Sequence, residues 1–284
     1  MTPKLPPELE REIIELAVRL DHRNSALRRN LRLVAPHVQF WVDSVFYEVL
    51  IISDQKSANK FLALVDLKPP GFFTTVARAL LLSGNIKTAT IVRILSICTR
   101  VHSLGLWNTA LKPDLLFEVS QLSLRRLSMP FGDVADFLTA SSPPIWLKSL
   151  THLDFSFLFD VAASDLKHLR RLPCLTHVAL FAPRVGQLHI EAVCSSCPNL
   201  EVMLMLRPEH WMLPTEIIEA CSLDPRIVVG PLASATPPTP MIIADWESSH
   251  FGLPDMWTRA MEMRADTGFR GVVGRGFAYP HRQR

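Results

Sequence analysis

An apolar pattern that returns about every 25 residues constrains this chain more than any other feature. Its form is L-x-x-L-x-L, with aliphatic, aromatic or Met residues at the apolar positions. It appears at Tyr47-x-x-Leu50-x-Ile52, Val76-x-x-Ala79-x-Leu81 and Val101-x-x-Leu104-x-Leu106. It continues at Leu124-x-x-Leu127-x-Met129, Leu150-x-x-Leu153-x-Phe155, Leu175-x-x-Val178-x-Leu180 and Leu200-x-x-Met203-x-Met205. A last apolar run, Ile227-Val228-Val229, follows Asp224-Pro225-Arg226. The starts at 47, 76, 101, 124, 150, 175, 200 and about 227 give steps of 29, 25, 23, 26, 25, 25 and about 27 residues. Chance matches to so loose a pattern are common, but a series of near-equal steps is not. A unit of this size cannot bury its own apolar side, so neighbours must stack and share one core.

Such a step falls in the 20–29-residue range of leucine-rich repeats. The segments between the strands suit helices. Ser164–Leu172 has apolar residues at i, i+3 and i+6 behind a Ser or Asp cap, Gln187–Ser195 and Thr215–Cys221 also read as helical, and Pro173 and Pro198 return the chain to an extended run. The predicted fold class is α/β, a leucine-rich-repeat-like solenoid with one curved parallel sheet and helices on its convex side. An ordinary α/β domain of alternating strands and helices is the alternative, but it does not require a constant step. Because alternate strand side chains face opposite ways, the concave face would carry Ser103, Gly105 and Trp107, Arg126 and Ser128, then His152, Asp154 and Ser156. It would continue with His177, Ala179 and Phe181, and then with Val202, Leu204 and Leu206, so it turns apolar toward the C-terminal rungs.

Composition narrows the function classes. Hydrophobic residues make up 48% and charged residues 20% of the 284, enough apolar surface for a sizeable core. The net charge of +3 does not argue for a nucleic-acid or membrane partner, and neither is expected. No apolar leader follows Met1, and no run of about 20 apolar residues suits a membrane span. The odd set Cys98, Cys174, Cys194, Cys197 and Cys221 reads as reduced thiols, which points to cytoplasm or nucleus. Cys194-x-x-Cys197 resembles half a zinc site, but no second pair follows, and it reads as buried packing at a rung junction. His152 and His177 would stack beside Asp154 without further ligands. No phosphate loop, G-x-S-x-G or H-E-x-x-H occurs. The expectation is a non-enzyme with no cofactor and no metal.

The first 46 residues read as a helical module. Pro6 and Pro7 suit a helix start, and Leu9, Ile13, Leu16, Ala17 and Leu20 form an apolar stripe. A second helix begins near Ser25 with Leu27, Leu31 and Val34, and Pro36 opens a third with Val38, Trp41, Val42 and Val45. Three helices this short bury too little alone, so they lean on the first repeat or on a partner.

Leu5-Pro6-Pro7-Glu8-Leu9, then Ile13-Ile14, Leu31-Arg32-Leu33-Val34 and Trp41, resemble an F-box. The whole chain is similar to the F-box-like proteins with irregular leucine-rich repeats abundant in mushroom-forming fungi. The further shared features are Lys68–Phe72, Leu150–Leu153, Asp224–Arg226 and Asp245-Trp246. The chain departs from the F-box pattern at Val34-Ala35-Pro36-His37-Val38, where a Val-Cys-Arg-x-Trp-like stretch is usual. The resemblance implies a substrate receptor of a cullin-type ubiquitin ligase. Its Skp-family adaptor would contact Leu5, Pro6, Leu9, Ile13, Ile14, Leu31 and Val34, and an unidentified target would contact the repeats. The residues alone leave a second option open, that the helices merely cap a repeat scaffold.

The polar middle rungs, with Arg126, His152, Asp154, Ser156 and His177, are the candidate target-binding surface. The domain reading is 1–46 helical module, 47–230 solenoid and 231–284 C-terminal region. That last region comprises a Pro-rich connector, a segment around Met241–Trp246, a helix over Asp255–Arg264 and a loose basic tail from Gly271 to Arg284. Residues 241–264, with Trp246, Met256, Trp257 and Met261, are expected to cap the C-terminal end of the solenoid, because the row Phe181, Val202, Leu204 and Leu206 is too apolar to stand bare.

Overall fold

A computed structural model of the chain describes residues 5–107, 112–155, 161–181, 185–208, 215, 218–219, 223–232 and 240–266. Three helices lead: α1 (Pro7–Leu20), α2 (Ser25–Arg32) and α3 (Pro36–Phe46). Proline starts α1 and α3, where its missing N–H costs nothing. Asn24 starts α2, its Oδ1 accepting from the N–H groups of Ala26 at 3.1 Å and Leu27 at 2.9 Å.

Eight strands follow: β1 (Val49–Ile52), β2 (Ala79–Leu82), β3 (Ser103–Leu106), β4 (Arg126–Met129), β5 (His152–Phe155), β6 (His177–Phe181), β7 (Val202–Pro208) and β8 (Ile227–Leu232). They form one open sheet in sequence order, every neighbouring pair parallel. Parallel neighbours need crossovers, and these carry α4 (Gln55–Leu67), α5 (Phe72–Val76), α6 (Thr88–Ile97), α7 (Pro113–Ser120), α8 (Phe131–Thr139), α9 (Ala163–Leu166) and α10 (Gln187–Ser196). Short 3-10 turns at Ile145–Lys148 and Lys167–Arg171 complete two of them. In the turn Lys68–Phe72, Gly71 adopts φ of 75°, a left-handed conformation that glycine supplies without strain, and α5 starts from it.

The repeat register decides which side chains meet. Leu50, Leu80, Leu104, Leu127, Leu153, Val178, Met203 and Ile227 stand side by side across all eight strands. They belong to the main core between sheet and crossover helices. The second rung corrects the sequence reading by one residue. Ala77, Leu80 and Leu82 enter that core, whereas Ala79 and Leu81 point the other way. A slip of one residue exchanges the two faces of a strand. With the second rung started at Ala77, the first seven strands each begin two residues after the first apolar position of the pattern.

Two further helices close the described chain, α11 (Pro240–His250) and α12 (Met256–Asp266). They lie on the sheet face opposite the crossover helices and build a second apolar cluster there. Ile242, Trp257 and Ala260 pack with Leu81, Trp107, Ala179, Val202, Leu204, Leu206 and Val228. A third cluster joins Val18, Val38, Val42 and Val45 of the leading helices to Val49 and Ala79 of the sheet and to Phe251 just after α11. The C-terminal segment therefore runs across the sheet face to the N-terminal helices, and is not confined to the last rungs as expected. The expected helix at Thr215–Cys221 and the basic tail at 271–284 lie largely or wholly outside the described residues. Among the described residues no helix is long and apolar enough to cross a membrane.

Candidate functional site

Two surfaces carry the residues singled out by sequence. The first is the outer face of the leading helices. Leu5, Leu9, Ile13, Leu16 and Leu20 all face solvent, and the four on α1 are between 48% and 63% exposed. Leu33, Val34 and Phe40 are exposed as well, and Pro6 is the exposed residue from which α1 starts. The apolar stripe of α1 thus points away from the repeats. The opposite side of the module makes the internal contacts, through buried Val18 and through Ile14, Leu31, Ala35 and Trp41, which pack against the same cluster. Ile14 and Leu31, expected at the adaptor contact, belong instead to this inner side. Phe40 is an exposed apolar position that the sequence reading missed, and Leu33 is one that it quoted but did not place at the adaptor contact. Leu33 adjoins Val34 at the end of α2, so the loss of helical period there was the available signal.

The module is fixed to the first repeat by charge. Asp43 on α3 is buried, and its carboxylate meets Lys68 Nζ at 2.6 Å and Arg32 Nε at 3.1 Å. Arg19 and Glu48 form a further pair at 2.6 Å.

The second surface is the sheet face under α11 and α12, where the polar residues form a partly buried network. Trp107 Nε1–H donates to Ser128 Oγ at 2.6 Å, and Ser128 Oγ–H donates to Asp154 Oδ1. Burial raises the Asp154 carboxyl to about 7, against the opposing effects of Ser128 and Arg126. His152 and His177, neighbours in register, stack with centroids 4.2 Å apart. Trp257 stands edge-on to both, at 5.4 and 5.3 Å. Burial first, then the neighbouring His177 and Arg126, pushes His152 down to about 2.

Asp255 begins α12, its Oδ1 accepting from the Thr258 N–H and hydroxyl, each at 2.8 Å, while its Oδ2 lies 3.8 Å from Arg126 Nη1. Asp245 on α11 accepts from the Met256 N–H at 2.8 Å and pairs with Arg259, which ties the two helices together. Sequence reasoning missed this pairing of Asp245 with Arg259, although Asp255 three residues before Thr258 is a helix-start signal.

Of the candidate target-binding residues, Asp154 is buried and His152 is largely covered, whereas Arg126, 34% exposed, and His177 still line an open pocket of about 360 Å³ beside α12. Arg126, His152, Asp154 and His177 lie beneath or against α12, and Ser156 lies outside the described residues. The expectation that the cover stops at the apolar rungs is corrected by Trp257, whose ring reaches the histidines of β5 and β6. The side chain of Phe181 also falls outside the described residues, while Val202, Leu204 and Leu206 are buried as the apolar row required. The space left in the network, lined by Ser103, Trp107, Arg126 and Asp154, measures about 30 Å³. It admits about one water, far below the ~300 Å³ at which small-molecule sites begin.

Among the described residues no group of three or more His, Cys, Asp and Glu side chains could hold a metal ion. Cys197 is buried, and burial followed by the neighbouring Cys194 pushes its thiol up to about 12. Its reactive thiolate form is thereby suppressed. No protein-family model matches the chain, and no curated protein matches it either.

Proposed function

We propose that the chain is the substrate-receptor subunit of a Skp/cullin/F-box-type ubiquitin ligase. In this reading the outer face of the leading helices docks a Skp-family adaptor, which links the chain to a cullin, and the repeats hold a target protein. One observation carries the reading. A helix that only capped the solenoid would bury its apolar stripe, whereas α1 leaves Leu9, Ile13, Leu16 and Leu20 in solvent. A contiguous exposed apolar row of this kind marks a partner surface. A receptor works by bringing two proteins together, so it needs no catalytic group of its own.

With much of the sheet face covered, the target is left the open pocket at Arg126 and His177 and the crossover-helix side. Leu67, Phe117, Ile145 and Leu188 are exposed there. The second reading is a repeat scaffold or interaction protein outside the ubiquitin system. It is favoured by the inner side of the module, where Val18, Val38 and Val42 cap the first strands.

Co-purification of the full chain with a Skp-family adaptor separates the two. Truncating a central anchor typically costs about 2 kcal/mol of binding or more. Leu9→Ala combined with Ile13→Ala should abolish co-purification while leaving the fold intact, because both side chains are exposed. A wild-type chain that never retains the adaptor supports the scaffold reading. A folded double variant that still retains it sinks the proposed docking face.

A further inference from the structure

A cavity of about 260 Å³ lies where the leading helices, the start of β1 and α11 converge. It is separate from the docking stripe of α1 and from the polar network over β4 and β5. Its apolar wall includes Val18, Val45 and Phe251, all buried. Its polar side is formed by His22, Arg23, Arg28 and Glu247. A space of this size, walled partly by apolar side chains and partly by convergent polar groups, approaches the form of a small-molecule site, slightly below the ~300–1,000 Å³ norm.

The polar groups are unevenly satisfied. Arg23 holds Glu247 through Nε at 3.2 Å and Nη2 at 3.0 Å. Burial raises the Glu247 carboxyl, but the contacts with His22 and Arg23 outweigh it and leave the group lowered. Glu247 is thus ionised and engaged. His22 is different. Its side chain is 9% exposed, its ring is held flat against Phe251 with centroids 4.4 Å apart, and its Nδ1 is buried without a hydrogen-bond partner in the protein. Its Nε2 reaches Glu247 Oε2 only in a long contact of 3.5 Å.

Arg28 is the second such group. Its guanidinium stacks over Phe46, Cζ 4.0 Å from the ring centroid, and its Nε is buried without a partner. Among the described residues Arg28 has no ion pair. A stacked guanidinium keeps its nitrogen edge free for a planar bidentate acceptor, and carboxylate is the acceptor that matches it best. Leaving such donors buried and unmet is costly, so the arrangement favours an anion there.

We infer that the cavity between α1, α2 and α11 binds a small apolar monocarboxylate, its head group on Arg28 and His22 and its branched or aromatic body against Val18, Val45 and Phe251. The apolar wall selects against inorganic anions. Arg28 has no ion pair among the described residues but already feels the ionised Glu247, so the site has too little positive charge to hold a doubly charged anion. Because Phe251 and Glu247 come from the C-terminal segment and His22 and Arg28 from the leading helices, the ligand would bridge the two ends of the chain. It would stabilise only the form in which they are docked.

The test uses the full chain, with 4-methylpentanoate and 3-phenylpropionate as probes and their uncharged amides as controls. Titration calorimetry should give a Kd of about 1 mM or tighter for at least one acid, and at least tenfold weaker binding for its amide. Arg28→Gln should weaken the acid at least tenfold. Because that variant could fold poorly, the wild-type His22 ring resonances supply an independent readout and should shift on addition of the acid. Amides that bind as well as acids would overturn the inference. So would phosphate that competes equally with the acids, Arg28→Gln binding unchanged, or unmoved His22 resonances at saturating acid.

Discussion

Ser103 Oγ on β3 and His250 Nε2 at the end of α11 lie 3.2 Å apart, although 147 residues of chain separate them. Burial, followed by Arg126 and His102, pushes His250 down to about 3, so it is neutral in the folded protein. The contact is one of several that turn the C-terminal segment into a strap over the sheet. Others are Trp257 against His152 and His177, and Arg264 Nη1 donating to the Glu201 carbonyl at 2.8 Å.

The strap should be a major source of stability. Trp257 is buried and shares a cluster with residues of four strands, β2, β6, β7 and β8. Trp257→Ala should cost about 3–5 kcal/mol. Urea denaturation would measure the loss, and the variant should bind more of a hydrophobic dye. A loss below about 1 kcal/mol would mean the strap is only loosely seated.

Asp43 should be as sensitive for a different reason. Its removal leaves Lys68, itself largely buried, without its carboxylate, and leaves Arg32 half-exposed without a partner. Breaking a buried pair in this way typically costs about 3–5 kcal/mol. Asp43→Ala should therefore lower the denaturation midpoint strongly, whereas Arg32→Ala, which leaves the Lys68 pair in place, should cost much less.

Gly105 makes a prediction that tests coupling. A Cβ at this position would meet Leu81 Cδ1 at 2.4 Å, and Leu81 is fully buried under the strap. Gly105→Ala should destabilise by about 1–3 kcal/mol through overpacking. The same substitution in a Leu81→Ala background should cost at least about 1 kcal/mol less, since contacting sites are not additive. Equal costs in the two backgrounds would show that Leu81 is not the obstacle.

The buried histidines and Asp154 act in opposite directions with pH. His152 and His250 have folded values far below 6.5, so the unfolded chain takes up protons first as pH falls. Their contribution is intact above about pH 6.5 and is lost as pH falls toward their folded values. Each removes about 1.4 kcal/mol per pH unit in that range. Asp154, raised to about 7, contributes the other way. It adds stability as pH drops from about 7 toward its unfolded value near 4. His102 and His177 are also lowered by burial and Asp245 is also raised, so four histidines against two carboxyls leave a net fall in stability between pH 6.5 and 4.5. His250→Gln should flatten that fall and Asp154→Asn should steepen it, as read from urea midpoints across the range.

The repeat was legible because a period survives errors at single residues, and the parallel order then follows from connectivity. The second rung was not. Ala79-Leu80-Leu81-Leu82 is apolar throughout because both faces of β2 are buried, one by the crossover helices and one by the strap and leading helices. Without alternation, sequence cannot say which residues face which side. The stripe of α1 was legible as a stripe, but its direction depends on Val18, which packs from the other side of the helix. The strap was legible as apolar material in need of a surface. Its destination was not, since Trp257 could have satisfied its burial on the last rungs as well as on His152 and His177.

The joint between Arg23 and the strap spans 221 residues to the Ala244 carbonyl and 224 to Glu247. Folding units form in order as a chain is synthesised, and a contact of this range cannot form before its second half exists. Until Glu247 has left the ribosome, Leu81, Trp107 and Leu204 have no cover, and His22 has neither Phe251 nor Glu247 beside it. The nascent protein therefore passes through a long interval with an apolar sheet face open. The emergence of residues 240–266 determines whether that face is closed in the chain's own interior or left for a chaperone to hold.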